Sequence, residues 1–179
     1  MKITLRELTE DTVKEIFDTL IVNQDPVVII YIDCEGGDPL LAFGLYSALT
    51  LSGKFIVTYA VSKVYSAAMI IFLAGHIRCA HEYSHFLIHE VSFEEDEART
   101  MQAREYKRHA EELARDSNAL FALIAKKSDI KVGTIRKKLK NAPDSDWTFY
   151  GEEAKTLKIA DSLDVLPRDE RDYLQFLKK

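Results

Sequence analysis

Between Thr12 and Ile21 the apolar positions Val13, Ile16, Phe17, Leu20 and Ile21 recur at steps of three and four. That is the period of an amphipathic helix, with Thr9 or Asp11 placed to cap it. Val27-Val28-Ile29-Ile30-Tyr31-Ile32 follows as a continuous β-branched run between Pro26 and Asp33. It reads as a strand buried on both faces, the kind found in parallel sheets. Gly36-Gly37 breaks the chain, Asp38 is a capping residue, and Pro39 suits the first turn of a helix running through Leu49. Phe55 to Val61 reads as a second strand, and Ser66 to Leu73 as a helix closed by Gly75. Ile77 to Cys79 and Phe86 to Val91 read as further strands. Helices alternating with apolar strands predict an α/β layer on a largely parallel sheet.

From Glu95 to Lys127 the period becomes that of one long helix. Ala98, Met101, Tyr106, Ala110, Leu113, Ser117, Leu120 and Ile124 form a stripe between charged positions. A helix of that length should project from the domain, with Leu113, Leu120 and Ile124 against another subunit. Glu94-Glu95-Asp96-Glu97 would place repelling charges beside that contact. Two short helices, near Val132 to Lys140 and Gly151 to Leu157, complete the pattern. The expected organisation is one unit over 1–179: a head of about 1–91 and 129–166, a handle of about 92–128, and a charged tail over 167–179.

Composition narrows the class. The 179 residues are 47% hydrophobic and 30% charged, enough apolar matter for a core. The net charge of −5 argues against a nucleic-acid binder held by overall charge. The longest wholly apolar run, Ala67 to Ala74, falls far short of the roughly 20 residues a membrane helix needs. Met1 leads straight into charged residues without a signal-peptide core. Cys34 and Cys79 lack CxxC partners and read as buried, reduced thiols. These features together predict a cytoplasmic protein.

Several positions carry candidate chemistry. His81-Glu82-Tyr83-Ser84-His85 matches the HExxH zinc pattern, which needs a helix to converge its imidazoles. Here the run leads into an alternating strand, so a polar turn is the better reading and a zinc hydrolase a distant third. Gly36-Gly37 is either a tight turn or a set of exposed N–H groups for an anion. Ser66 is either a helix N-cap or a nucleophile. His89 reads alone as a buried strand histidine, and Asp146 as a turn residue.

Taken together, these stretches resemble the Clp protease proteolytic subunit family. Tyr31-Ile32-Asp33-Cys34-Glu35-Gly36-Gly37-Asp38 resembles its strand and Gly-Gly turn, and Val64-Tyr65-Ser66-Ala67-Ala68-Met69 its nucleophile helix. Phe86-Leu87-Ile88-His89 resembles the histidine strand, and Asp146-Trp147-Thr148-Phe149-Tyr150-Gly151 the aspartate segment. The order is kept from about Ile3 to Leu166. The resemblance implies a ClpP/crotonase-type layered fold with a projecting handle helix. It further implies a serine endopeptidase with Ser66 as nucleophile, His89 as base and Asp146 as orienter. Gly37 and Ala67 would form the oxyanion hole, with no metal or organic cofactor. The implied substrate is a peptide or unfolded protein, cut inside a homo-oligomer of heptameric or stacked rings, with an AAA+ unfoldase as a possible partner. The chain departs from the family in several places. Met1-Lys2-Ile3 already lies in the first strand, and no glycine follows His89 through Glu97. Tyr65 and Ala68 flank Ser66 where smaller residues are usual, and Met101 to Ser128 match the handle helix in pattern but hardly in sequence. The alternative is a catalytically silent ring scaffold of the same fold.

Overall fold

The structure is a computed structural model that describes residues 1–92 and 103–164. The expected helix over Glu95–Gln102, its acidic run, and the tail beyond Asp164 lie outside the described residues. The backbone begins with β1 (Lys2–Leu5), α1 (Glu10–Val22) and β2 (Val27–Cys34). Next come α2 (Pro39–Leu51), β3 (Phe55–Tyr65), α3 (Ala68–Phe72), β4 (Ile77–Ala80) and β5 (His85–Ile88). The chain continues through α4 (Ala103–Lys127), α5 (Val132–Asn141), β6 (Trp147–Tyr150), α6 (Gly151–Thr156) and β7 (Ser162–Leu163). Local chemistry sets the first boundaries. The Thr9 hydroxyl accepts from the Thr12 N–H at the start of α1, and the Asp38 carboxylate accepts from the Leu40 N–H ahead of α2.

Strands β1, β2, β3, β4 and β7 lie side by side, all parallel. β3 is long enough to serve two neighbours. Its Val57–Ala60 stretch pairs with β4, and its Lys63–Tyr65 stretch pairs with β5. An irregularity between Ile32 and Cys34 of β2 accompanies the change, and the Asp33 carboxylate accepts from the Lys63 N–H there. β5 then pairs antiparallel with β6. The expected strand over Phe55–Val61 thus continues to Tyr65, because β5 supplies hydrogen-bond partners after β4 has turned away.

The two sides of the sheet are covered unequally. Val28, Ile30 and Ile32 of β2 are fully buried beneath Leu45 and Leu49 of α2, with Ile16 and Leu20 of α1 in the same core. Burial of each such side chain contributes roughly 1.5–3 kcal/mol. On the other side Ile29, Val57, Ile77 and Cys79 form a smaller cluster bordered by half-buried Val27, Tyr31, Phe55 and Tyr59. β2 is therefore sealed on one face and only partly covered on the other, which corrects the two-sided expectation.

The long helix also differs from expectation. Leu120, Phe121 and Ile124 are buried in the main core, where α4 meets α3 and α5. Leu120 and Ile124 are thus held by their own subunit. In the N-terminal half of α4, Tyr106 is exposed and Leu113 only half-buried. Among the described residues no helix is long and apolar enough to cross a membrane.

Candidate active site

Strand register brings three distant side chains together. Tyr65, the last residue of β3, pairs with Leu87 of β5, and the Ser66 N–H donates to the Leu87 carbonyl at 2.9 Å. Ser66 therefore leaves β3 beside the end of β5, one residue short of His89. On the other side of β5, Ile88 pairs with Trp147. Continuing that antiparallel register sets His89 opposite Asp146. Ser66 and His89 meet at 2.6 Å between Oγ and Nε2. His89 Nδ1 stands 4.0 Å from Asp146 Oδ1, with the aspartate side chain 42% exposed.

Two expectations about these residues change. Ser66 is not an N-cap, since α3 begins only at Ala68 and Ala67 precedes it in helical conformation. Ser66 instead adopts φ of +50°, a left-handed turn uncommon for a residue with a Cβ. That turn lifts Oγ toward the imidazole. His89 lies one residue beyond β5, whose pairing with β6 ends at Ile88. Asp146 closes a 3-10 turn over Pro143–Ser145, its N–H donating to the Pro143 carbonyl.

Gly36 and Gly37 occupy φ of +103° and +142°. A Cβ on Gly36 would lie 2.8 Å from the Tyr65 carbonyl oxygen and 3.0 Å from Ser66 Cβ, so only glycine lets this loop lie against the serine turn. Sequence reasoning read Gly36-Gly37 as one turn and gave only Gly37 a place in the oxyanion hole. The pattern of two adjacent glycines was the available signal. Gly37 forms an isolated parallel bridge with Leu8. Gly37 and Ala67 both line the small cavity over Ser66 and His89, together with Pro39, Ile70, Val91, Ser92 and Leu120.

The HExxH stretch belongs to a different place. His81 to Ser84 form a turn and His85 opens β5, so the helix that would converge the two rings is absent. His81 Nδ1 accepts from the Tyr83 N–H, while Nε2 lies 3.6 Å from Asp164. His85 Nδ1 shares a 2.7 Å hydrogen bond with the Tyr65 hydroxyl, and its ring packs on Tyr150. Among the described residues no group of three or more His, Cys, Asp or Glu is placed to hold a metal ion.

Cys34 is buried beneath the glycine loop, where burial pushes its thiol up despite the Gly36 N–H at 3.4 Å. Cys79 is buried on the other face of the sheet. Burial holds it near pKa 11, although the Ser162 hydroxyl donates to its sulfur. Both cysteines are free thiols.

The mostly parallel sheet with its helices agrees with known proteins. Across 94% of this chain and 92% of the other, the fold is similar to that of a mutant ClpP1 from Listeria monocytogenes, with a TM-score of 0.77 and 18% identity. In sequence the chain is similar to ATP-dependent Clp protease proteolytic subunit 2 of Treponema denticola. The two are 29% identical over 151 residues, 83% of this chain and 72% of that protein. The family described as Clp protease matches residues 2–164, nearly the whole of the sheet and its helices. The chain belongs to the Clp protease family.

Proposed function

We propose that the protein is a serine endopeptidase in which Ser66 attacks the peptide carbonyl, His89 takes its proton, and Asp146 orients the imidazole. The observation that carries this reading is the 2.6 Å contact between Ser66 Oγ and His89 Nε2. A serine hydroxyl attacks an amide at neutral pH only when a neighbouring base removes its proton. With the imidazole proton on Nδ1, facing Asp146, Nε2 is the acceptor for the Ser66 hydroxyl. The carboxylate 4.0 Å away favours that tautomer and the imidazolium that forms during attack. The oxyanion would be met by the N–H groups of Gly37 and Ala67, which border the same cavity. His89 then returns the proton to the leaving amine, and water releases the acyl group by the reverse sequence.

The family and the name of the Treponema protein support a peptide or unfolded-protein substrate, a homo-oligomeric ring, and a cytoplasmic, ATP-dependent unfoldase partner. A non-peptidyl fluorophosphonate tests the chemistry directly, since it needs only an activated serine. Intact mass should show one adduct, lost in Ser66→Ala and in His89→Ala. A second reading, a silent ring scaffold, is favoured by the segment after His89, where Glu90 to Glu97 carries no glycine. It predicts no adduct in the wild type. Labelling that persists in Ser66→Ala would remove this serine from the mechanism.

A further inference from the structure

His85, the second histidine of the HExxH stretch, reaches across to the residue that precedes the serine. Its Nδ1 lies 2.7 Å from the Tyr65 hydroxyl, and the two rings meet edge to face at 5.4 Å. Either tautomer satisfies this bond, since Nδ1 accepts from the hydroxyl or donates to its oxygen. Burial pushes the Tyr65 phenol up, against the opposing effect of the Lys63 ammonium, so the hydroxyl keeps its proton near neutral pH. Tyr150, the partner of His85 on β6, packs on the same imidazole with ring centres 4.9 Å apart. Three rings thus form a row over β3, β5 and β6. Each strand leads to or from one residue of the site. Ser66 follows Tyr65 directly, His89 follows His85 by four positions, and Asp146 precedes Tyr150 by four.

The pairing of β3 with β5 is short: Lys63 with His85, Val64 with Phe86, and Tyr65 with Leu87. The Tyr65 hydroxyl spans it diagonally, from the last residue of β3 to the first of β5. Val64 and Phe86 point to the opposite face and are fully buried. The core therefore holds one face of this pairing, and Tyr65 and His85 hold the other. A strand held on one face alone can twist about its axis, and a twist at Tyr65 would sweep the Ser66 side chain past the imidazole. Ser66 sits in a left-handed turn, a conformation that persists only where its surroundings maintain it. Resting on the serine peptidase reading, we propose that Tyr65 and His85 are a pair of positioning residues. Their bond holds the serine turn on β5, so that Ser66 Oγ stays in its 2.6 Å contact with His89 Nε2. A misplacement of about 1 Å at a reacting centre costs about 10²-fold in rate, so the loss of this one tether should cost about 10-fold.

The test uses the full chain and the non-peptidyl fluorophosphonate at saturating concentration, with the adduct followed by intact mass. Ser66 Oγ bonds to phosphorus, fluoride departs, and the serine proton passes to His89. Tyr65→Phe keeps the ring and removes only the hydroxyl. It should lower the maximal labelling rate about 10-fold, while all of the protein still reaches one adduct. His85→Leu should slow labelling to a similar extent, and the double variant should be no slower, because both changes remove one bond. His85→Asn puts an amide near the place of Nδ1 and should recover most of the rate lost in His85→Leu. A lower denaturant midpoint with an unchanged rate in Tyr65→Phe makes the pair a structural contact and overturns the positioning role alone. Losses that multiply to about 100-fold in the double variant, or His85→Asn as slow as His85→Leu, overturn it too. Absence of any adduct in the wild type overturns the peptidase reading and the positioning role with it.

Discussion

Ser66 sits in a left-handed turn, and Gly36 is what lets the neighbouring loop close on it. Gly36→Ala would carry a Cβ into the Tyr65 carbonyl at φ of +103°, so the loop must shift. The expected cost is about 1–3 kcal/mol in denaturant unfolding, with loss of fluorophosphonate labelling because Gly37 and the Ser66 turn move apart. Labelling at the wild-type rate would mean that the loop does not position the serine. Asp146 gives a second residue-level outcome. Its Asn variant keeps the shape but removes the charge facing His89, and should lower kcat by about 10³–10⁴ in a peptide assay. Cys79 yields a pH effect whose sign follows from burial. Its folded pKa, about 11, is raised above the ordinary thiol value of 9.0. The stabilisation is therefore complete below about pH 9 and is lost as pH rises through about 11. Relative to Cys79→Ala, the wild type should lose up to about 2–3 kcal/mol across that window, as read by denaturant midpoints at each pH. Parallel pH curves for the two proteins would show that the thiol leaves its pocket before it ionises.

At the scale of elements, α4 is two helices in one. Leu120 is packed in the core whereas Leu113 is half-buried, so Leu120→Ala should cost about 2–5 kcal/mol in denaturant unfolding, and Leu113→Ala under about 1. Equal costs would mean that the N-terminal half packs on the head as firmly as the other. The hydrophobic stripe from Tyr106 to Ile124 was legible in the sequence, but periodicity records which face is apolar and not what covers it. The same limit explains the candidate site. Ser66, His89 and Asp146 were singled out by resemblance, while the contact between them depends on β3 pairing with β4 along one half and β5 along the other. No local pattern encodes that change of neighbour. Gly36-Gly37, Asp38 and Pro39 were readable because their signals act within a few residues, through backbone freedom, capping and a fixed φ. Ser66 misled for the same reason. A serine before an apolar helix reads locally as a cap, and only the turn beside Gly36 shows otherwise.

Across the described residues, a buried head is joined to a stretch of α4 whose apolar positions are only partly covered. Tyr106, Ala110 and Leu113 fall on one face of α4 at steps of four and three. Tyr106 is 48% exposed there. Its flanking charges sit in long i, i+4 pairs, Lys107 with Glu111 at 4.0 Å and Arg108 with Glu112 at 3.9 Å, which contribute little at an exposed position. An apolar stripe on a helix with weak intrahelical support gains most by burial against a second copy of itself. In the proposed ring, replacing both Tyr106 and Leu113 with Glu should therefore give smaller species than the wild type in sedimentation velocity, with the folded subunit retained. Leu120→Glu should behave differently and unfold the subunit, because that side chain belongs to the head. Salt offers an independent check on the first variant. Its added carboxylates repel across the contact, and raising ionic strength screens them, so the double variant should recover part of the larger species in 1 M salt, where the screening length falls to about 3 Å. Sedimentation of the Tyr106 and Leu113 double variant at wild-type size in low salt would place the assembly surface elsewhere on the head.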